Sequence, residues 1–138
     1  MLMDRDAFFT SLWNQYIRVT PQANDIQTLL STRGECLVND HVAFRTFDLK
    51  GYDLATVSNI LASIGYKAFD SYTFPNKMLR ANAYSVPGDP RAPKIFFSEL
   101  IRSELDDESR SIINEIIAPL EGKLTLADLT GSYPFAKP

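Results

Sequence analysis

Apolar residues recur at three- and four-residue spacing through Phe8, Phe9, Leu12, Trp13, Tyr16 and Ile17, a pattern that predicts an amphipathic helix. Asp4 stands where an N-cap belongs, and Pro21 sets the end. Thr20-Pro21 supplies the capping residue and first-turn proline of a second helix, which carries Ile26, Leu29 and Leu30 and stops near Gly34. Over residues 39–47 the period changes to two, the mark of a strand. Lys50-Gly51 reads as a turn. Asp53 then caps a helix bearing Leu54, Val57, Ile60, Leu61 and Ile64, closed by Gly65. Residues 66–74 are aromatic-rich and predict a strand, broken at Pro75-Asn76. Over 78–86, Leu79, Ala81, Ala83 and Ser85 alternate with Arg80, Asn82 and Tyr84, which predicts another. Residues 87–93 read as a loop, and 94–100 as a last strand with an apolar centre. Asp106 or Asp107 caps a further helix with Ile112, Ile113, Ile116 and Ile117 on its apolar side, ended by Pro119 and Gly122.

The expected organisation is α+β in a single domain over 1–138. It has a helical lead-in (4–33), a mixed sheet module (37–100), C-terminal helices (105–130) and an extended tail (131–138). From residue 39 to 100 the order is strand, helix, strand, strand, strand.

Composition changes this picture little. Hydrophobic residues make up 45% and charged residues 22%, ordinary values for a globular domain. A net charge of −3, with basic residues scattered, gives no reason to expect nucleic-acid binding. No apolar run is long enough for a bilayer and no signal segment opens the chain, so the expectation is a cytoplasmic protein without membrane contact. Cys36, the sole cysteine, permits no internal disulfide and reads as a small core hydrophobe.

The candidate chemistry lies on the strand at 39–47. Alternation places His41, Ala43, Arg45 and Phe47 on one side and Val42, Phe44 and Thr46 on the other. His41 and Arg45 are separated by roughly 13 Å of strand, a span suited to a small anion with a metal-binding imidazole at one end and a carboxylate-binding guanidinium at the other. A lone strand histidine can equally be hydrogen-bonded scaffold. Glu99, near the end of an apolar strand, is costly as a carboxylate unless paired or bound to a cation, so it is a second candidate metal ligand; solvent exposure or capping is the alternative. Lys77, after the Pro75-Asn76 break, is a candidate substrate-binding cation, and Arg80 and Tyr84 are weaker candidates to line a site. Glycine-rich phosphate loops, Gly-x-Ser-x-Gly, Cys-x-x-Cys and His-Glu-x-x-His are all absent. With one histidine, a two-histidine, one-carboxylate iron site cannot be completed within one copy, and no residue is assigned a catalytic role.

The order of elements is that of a vicinal-oxygen-chelate module. The words Asn39-Asp40-His41-Val42-Ala43-Phe44-Arg45-Thr46-Phe47, Tyr72-Thr73-Phe74-Pro75-Asn76-Lys77-Met78-Leu79 and Lys94-Ile95-Phe96-Phe97-Ser98-Glu99-Leu100 together resemble the 2-oxoadipate dioxygenase/decarboxylase family. The resemblance implies a non-haem Fe(II) enzyme that takes a 2-oxo dicarboxylic acid and dioxygen, as in lysine catabolism. His41 matches its first iron-binding histidine and Arg45 its carboxylate-binding arginine. Glu99 is not carried over, because the family's carboxylate ligand and second histidine belong to a second half. The resemblance therefore covers the first half of such an enzyme, with one chain alone inactive. A non-catalytic binding or interaction module of the same fold is the alternative. A lone module leaves a sheet face and edge uncovered, so the expected partner is a second copy about a two-fold axis or a missing second module.

Overall fold

The computed structural model describes residues 4–130 and divides the chain into two compact units, 1–39 with 125–138, and 40–124. The sequence reading as one domain does not show this division. It also separates the two C-terminal helices, one falling in each unit. The extended tail expected at 131–138 lies outside the described residues.

The first unit is helical. Helix α1 (Arg5–Val19) is capped by Asp4, whose carboxylate accepts from the Ala7 amide at 2.8 Å. Helix α2 (Pro21–Thr32) starts on its proline. The short helix that closes the described residues, Leu126–Thr130, contacts α1, and the Gln15 side-chain amide donates to the Thr130 carbonyl. Among the described residues of this unit Phe8 and Leu129 are the buried apolar ones, so only part of the α1 aromatic stripe is core; Tyr16 is half exposed. Cys36 is exposed, contrary to the core role expected of it. It lies between α2 and the first strand, where every residue from 33 to 40 is exposed and no helix or strand holds a side chain inward.

The second unit contains one four-stranded sheet. Its elements are β1 (His41–Phe47), α3 (Leu54–Ala62), β2 (Lys67–Phe74), β3 (Leu79–Ser85), β4 (Lys94–Leu100) and α4 (Asp107–Ile117). In space the strands run β1-β4-β3-β2, with β1 parallel to β4 and the other pairs antiparallel. Both edges are thus β1 and β2. Helices α3 and α4 begin where expected, on Asp53 and Asp106, each accepting from an amide three residues on.

Register divides the side chains between two faces. On one face Val42, Phe44 and Thr46 join Ile95, Phe97, Glu99, Arg80, Asn82 and Tyr84. Helix α3 packs here: Ser58 bonds the Tyr84 hydroxyl at 3.0 Å, and Val57, Leu61, Ile95 and Phe97 have no exposed surface. Burying four such side chains fully contributes on the order of 1.5–3 kcal/mol each, which makes this face the core of the unit. The opposite face carries His41, Ala43 and Arg45, all exposed, beside Phe96, Ser98, Ala81, Ala83 and Tyr72.

One close approach holds the strand-to-helix connection. Gly51 has φ +89°, and a Cβ there would stand 2.7 Å from the Gly122 carbonyl oxygen. The Leu124 amide donates to the Gly51 carbonyl at 2.8 Å, so the segment after α4 is fastened to the turn after β1. Only glycine combines that φ with that clearance.

Candidate functional site

On the exposed face, β1 presents an imidazole and a guanidinium two alternations apart, each oriented by a neighbour. The Asp40 carboxylate accepts from His41 Nδ1 at 2.7 Å, and this hydrogen bond lowers the Asp40 pKa. With its proton on Nδ1, the ring directs the Nε2 lone pair outward, the arrangement found where histidine ligates a metal and a carboxylate fixes the tautomer. The His41 side chain is 62% exposed, so Nε2 is accessible.

Arg45 is placed by the neighbouring strand. Ser98 is its register partner on β4 and is nearly fully buried. The Ser98 hydroxyl donates to the Phe44 carbonyl at 3.3 Å and accepts from Arg45 Nε at 3.4 Å. Both contacts are long, so they orient more than they bind. Ser98 engages Nε, so the two terminal nitrogens of this exposed arginine, the pair that makes a bidentate fork to a carboxylate, are not used by it.

The remainder of this face is aromatic. Phe96 meets Tyr72 at 5.9 Å and Phe74 at 6.5 Å between ring centroids. The Tyr72 phenol donates to the Asp70 carboxylate, which raises its pKa.

Glu99 is not part of this arrangement, contrary to its candidacy as a ligand. It is fully buried on the α3 side of the sheet, where its carboxylate accepts from the Leu54 amide at 2.7 Å and pairs with Arg80, its register partner on β3. Strand parity makes the separation from His41 unavoidable: Glu99 pairs with Thr46, which points away from the His41 face. Arg80 and Tyr84 lie on the same side as α3, away from the His41 face, Tyr84 buried and Arg80 half exposed in its pair with Glu99. Lys77 is exposed in a 3-10 turn (Pro75–Lys77) between β2 and β3, towards the Arg45 end of the sheet but two strands away from β1. The structure thus groups His41 and Arg45, leaves Lys77 at the periphery and removes Glu99.

Two contributors were not foreseen from the sequence, Asp40 and Ser98. Asp40 adjoins His41 in the chain, so its adjacency was a signal. Ser98 had none, because its role depends on which strand lies beside β1. Among the described residues no group of three metal-ligating side chains gathers. The residues present therefore fit one coordination position of a metal, at His41 Nε2, and not a full set.

Comparison with known proteins identifies the family and the fold. The profile of the 2-oxoadipate dioxygenase/decarboxylase family matches residues 8–125. A relative named 2-oxoadipate dioxygenase/decarboxylase, chloroplastic/amyloplastic, from Oryza sativa subsp. japonica is 32% identical over 96% of this chain and 41% of its own length. The chain thus spans less than half the length of that relative. Among solved structures, a protein described as a hydrolase from Shewanella frigidimarina NCIMB 400 superposes with TM-score 0.78 at 36% identity, over 95% of this chain and 49% of that one. Hydroxyglutarate synthase from Oryza sativa, in complex with 2-oxoadipate, gives 0.70 at 30% identity over 80% of this chain and 39% of its own. A glyoxalase superfamily protein from Ralstonia eutropha JMP134 gives 0.72 at 19% identity, covering 91% of this chain and 47% of that one, and attests the fold alone. The fold is vicinal-oxygen-chelate-like, and the chain belongs to the 2-oxoadipate dioxygenase/decarboxylase family.

Proposed function

We propose that this chain forms the first half of a 2-oxo acid dioxygenase/decarboxylase site, binding a small 2-oxo dicarboxylic acid through Arg45 and offering one metal ligand through His41. The observation that carries the reading is the pairing of both groups on one open face, each with its own orienting partner, Asp40 and Ser98. Arg45 supplies a planar fork for one carboxylate. His41, its tautomer fixed by Asp40, supplies a neutral nitrogen donor of the kind Fe(II) accepts. Fe(II), when bound, supplies the redox chemistry by which dioxygen is consumed and the 2-oxo acid decarboxylated. A single imidazole holds a metal weakly, so completion of the set and turnover belong to a second half or a second copy. The reading keeps its non-catalytic alternative, a ligand-binding module, favoured by the absence of a three-ligand cluster among the described residues.

Titration of the chain with Co(II), a paramagnetic substitute for Fe(II), is expected to perturb nuclear resonance signals around His41 and to lose that centre in His41→Ala. Titration with 2-oxoadipate is expected to weaken at least about tenfold in Arg45→Lys, because lysine retains charge but not the fork. Equal metal binding in parent and His41→Ala removes the metal assignment. Equal 2-oxoadipate affinity in parent and Arg45→Lys removes the carboxylate assignment.

A further inference from the structure

At the end of the sheet away from Arg45, register sets Lys67 of β2 opposite Ser85 of β3, and Lys94 of β4 opposite His41 of β1. The antiparallel pair Tyr84 and Ile95 makes Ser85 and Lys94 the next neighbours across β3 and β4. A serine hydroxyl therefore stands between two lysines on one face, each lysine Cα about 5 Å from that of Ser85. Both lysines are exposed and Ser85 is half-buried. None of the three makes a side-chain hydrogen bond or ion pair with another described residue. Of the nearby acids, Asp40 is hydrogen-bonded to His41 and Asp70 to Tyr72.

The loop joining β3 to β4, residues 86–93, bounds a half-open cavity of about 320 Å³ at this corner, lined by Ser85 and Lys94 with Val86, Pro87, Pro90 and Ala92 as an apolar wall. That volume is at the small end of the range for small-molecule sites. The wall is fastened at several points. Gly88, with φ +79°, takes the third position of a turn in which the Asp89 amide donates to the Val86 carbonyl at 3.1 Å. The Asp89 carboxylate, which also borders the cavity, accepts from the Arg91 and Ala92 amides, both at 3.2 Å. Buried Tyr66 donates its hydroxyl to the Pro93 carbonyl at 2.6 Å.

We propose that this corner binds a small organic phosphate, its head held by Ser85, Lys94 and Lys67 and its apolar body lying against the proline wall. A phosphate monoester carries close to two negative charges at neutral pH and three terminal oxygens. Three donors on three adjacent strands match that head better than the two oxygens of a carboxylate. An ammonium is a compact charge with rotatable donors on a flexible stem, so two lysines rooted about 10 Å apart can turn towards a shared centre. Pro87 and Pro90 have no N–H to be left unpaired when an apolar body covers them. The site is independent of the carboxylate role of Arg45 and stands or falls without it.

The test titrates the full chain with phenyl phosphate, inorganic phosphate and benzoate while the backbone amide resonances of Ser85, Gly88 and Ala92 are followed. Phenyl phosphate is expected to move these signals to saturation, with inorganic phosphate at least about threefold weaker for want of the apolar body. Benzoate, with one charge and two oxygens, is expected to be at least about fivefold weaker. Lys94→Gln and Ser85→Ala should each weaken phenyl phosphate about fivefold or more, and Lys67→Gln by less, since Lys67 is outside the cavity lining. No fully buried position is altered, so the fold is kept. Lys50→Gln, which removes an equal charge from an exposed turn, and Arg45→Ala should leave the affinity within about twofold. Loop signals that do not move, or equal affinity in Lys94→Gln and the parent, overturn the site. So does a loss in Lys50→Gln as large as in Lys94→Gln, which means attraction by net charge alone, or a lost response in Arg45→Ala, which puts the phosphate in the carboxylate site. Benzoate binding as tightly as phenyl phosphate overturns the assignment of the head, and inorganic phosphate binding as tightly overturns that of the wall.

Discussion

The two faces of the sheet each carry an arginine, and they use it in opposite ways. Beside α3, Arg80 is joined to Glu99, and the same buried carboxylate holds the first amide of the helix, so the charge of Arg80 is met by a partner within the protein. On the other face Arg45, exposed, is held among the described residues by a serine hydroxyl at Nε, with no carboxylate paired to it. The difference teaches that polarity alone does not mark a site in this fold. What marks it is a charged group held in position without being neutralised.

Breaking the covered face should cost stability. Glu99→Ala leaves the Leu54 amide without its acceptor and Arg80 without its counter-ion, an expected loss of about 2–3 kcal/mol in urea denaturation. Arg80 is half exposed and regains water, which keeps the effect below that of a fully buried pair. Anion binding per folded molecule at Arg45 should not change. A loss of binding without a loss of stability would mean that Glu99 belongs to the site after all.

Gly51→Ala is expected to cost about 1–3 kcal/mol, since it combines a left-handed φ with a 2.7 Å approach to the Gly122 carbonyl. A thermal midpoint equal to that of the parent would show that the segment after α4 is not fastened there.

Breaking the open face should do the reverse. Arg45→Ala should leave stability within about 0.5 kcal/mol, because the side chain is exposed, yet reduce carboxylate binding about tenfold or more. Ser98→Ala should weaken the same binding only a few-fold by releasing Nε. In an Arg45→Lys background it should have no effect, since lysine has no Nε to orient. A double-mutant cycle on 2-oxoadipate affinity measures this coupling, and equal losses in both backgrounds would reduce Ser98 to a packing residue.

The smallest expected effect concerns the helix beneath the sheet. The hydroxyl and then the amide of Thr56 donate to the Asp53 carboxylate and lower its pKa below 3.8. A folded pKa below the unfolded one means that this contribution is complete above the unfolded value and is lost as pH falls through the folded one. Stability of the parent should therefore decline below about pH 4 more steeply than that of Asp53→Asn, in which this cap no longer titrates. Parallel acid limbs for the two proteins would remove Asp53 as a source of the slope.

How much of this was legible in the sequence follows from how local each feature is. Asp4, Asp53 and Asp106 could be named as caps because a cap and its amide lie three residues apart. The succession of strands and helices could be read because hydrophobic period is a local property. Register is not local. Nothing within the segment 94–100 says that it pairs in parallel with β1, and without that pairing Ser98 cannot be put beside Arg45. Glu99 is instructive for the same reason. The expectation that a carboxylate on an apolar strand needs a cation was sound, and the cation is Arg80, directly opposite on β3. The error lay in the face, which strand parity decides and which only the sheet order reveals.

The position of β1 in that order also governs when the face can exist. Among the described residues β1 is at the sheet's edge and is paired with β4, so Arg45 meets Ser98 across 53 residues of chain. During synthesis the strand bearing both polar groups emerges first of the four and has nothing to pair with until the fourth has followed. Closing so long a loop is slow relative to forming the hairpin-like β2–β3 and β3–β4 pairs. Those three strands can assemble early, with β1 docking as the final event. The face that would bind a ligand is then the last part of the sheet to form and the first to be lost when the edge frays.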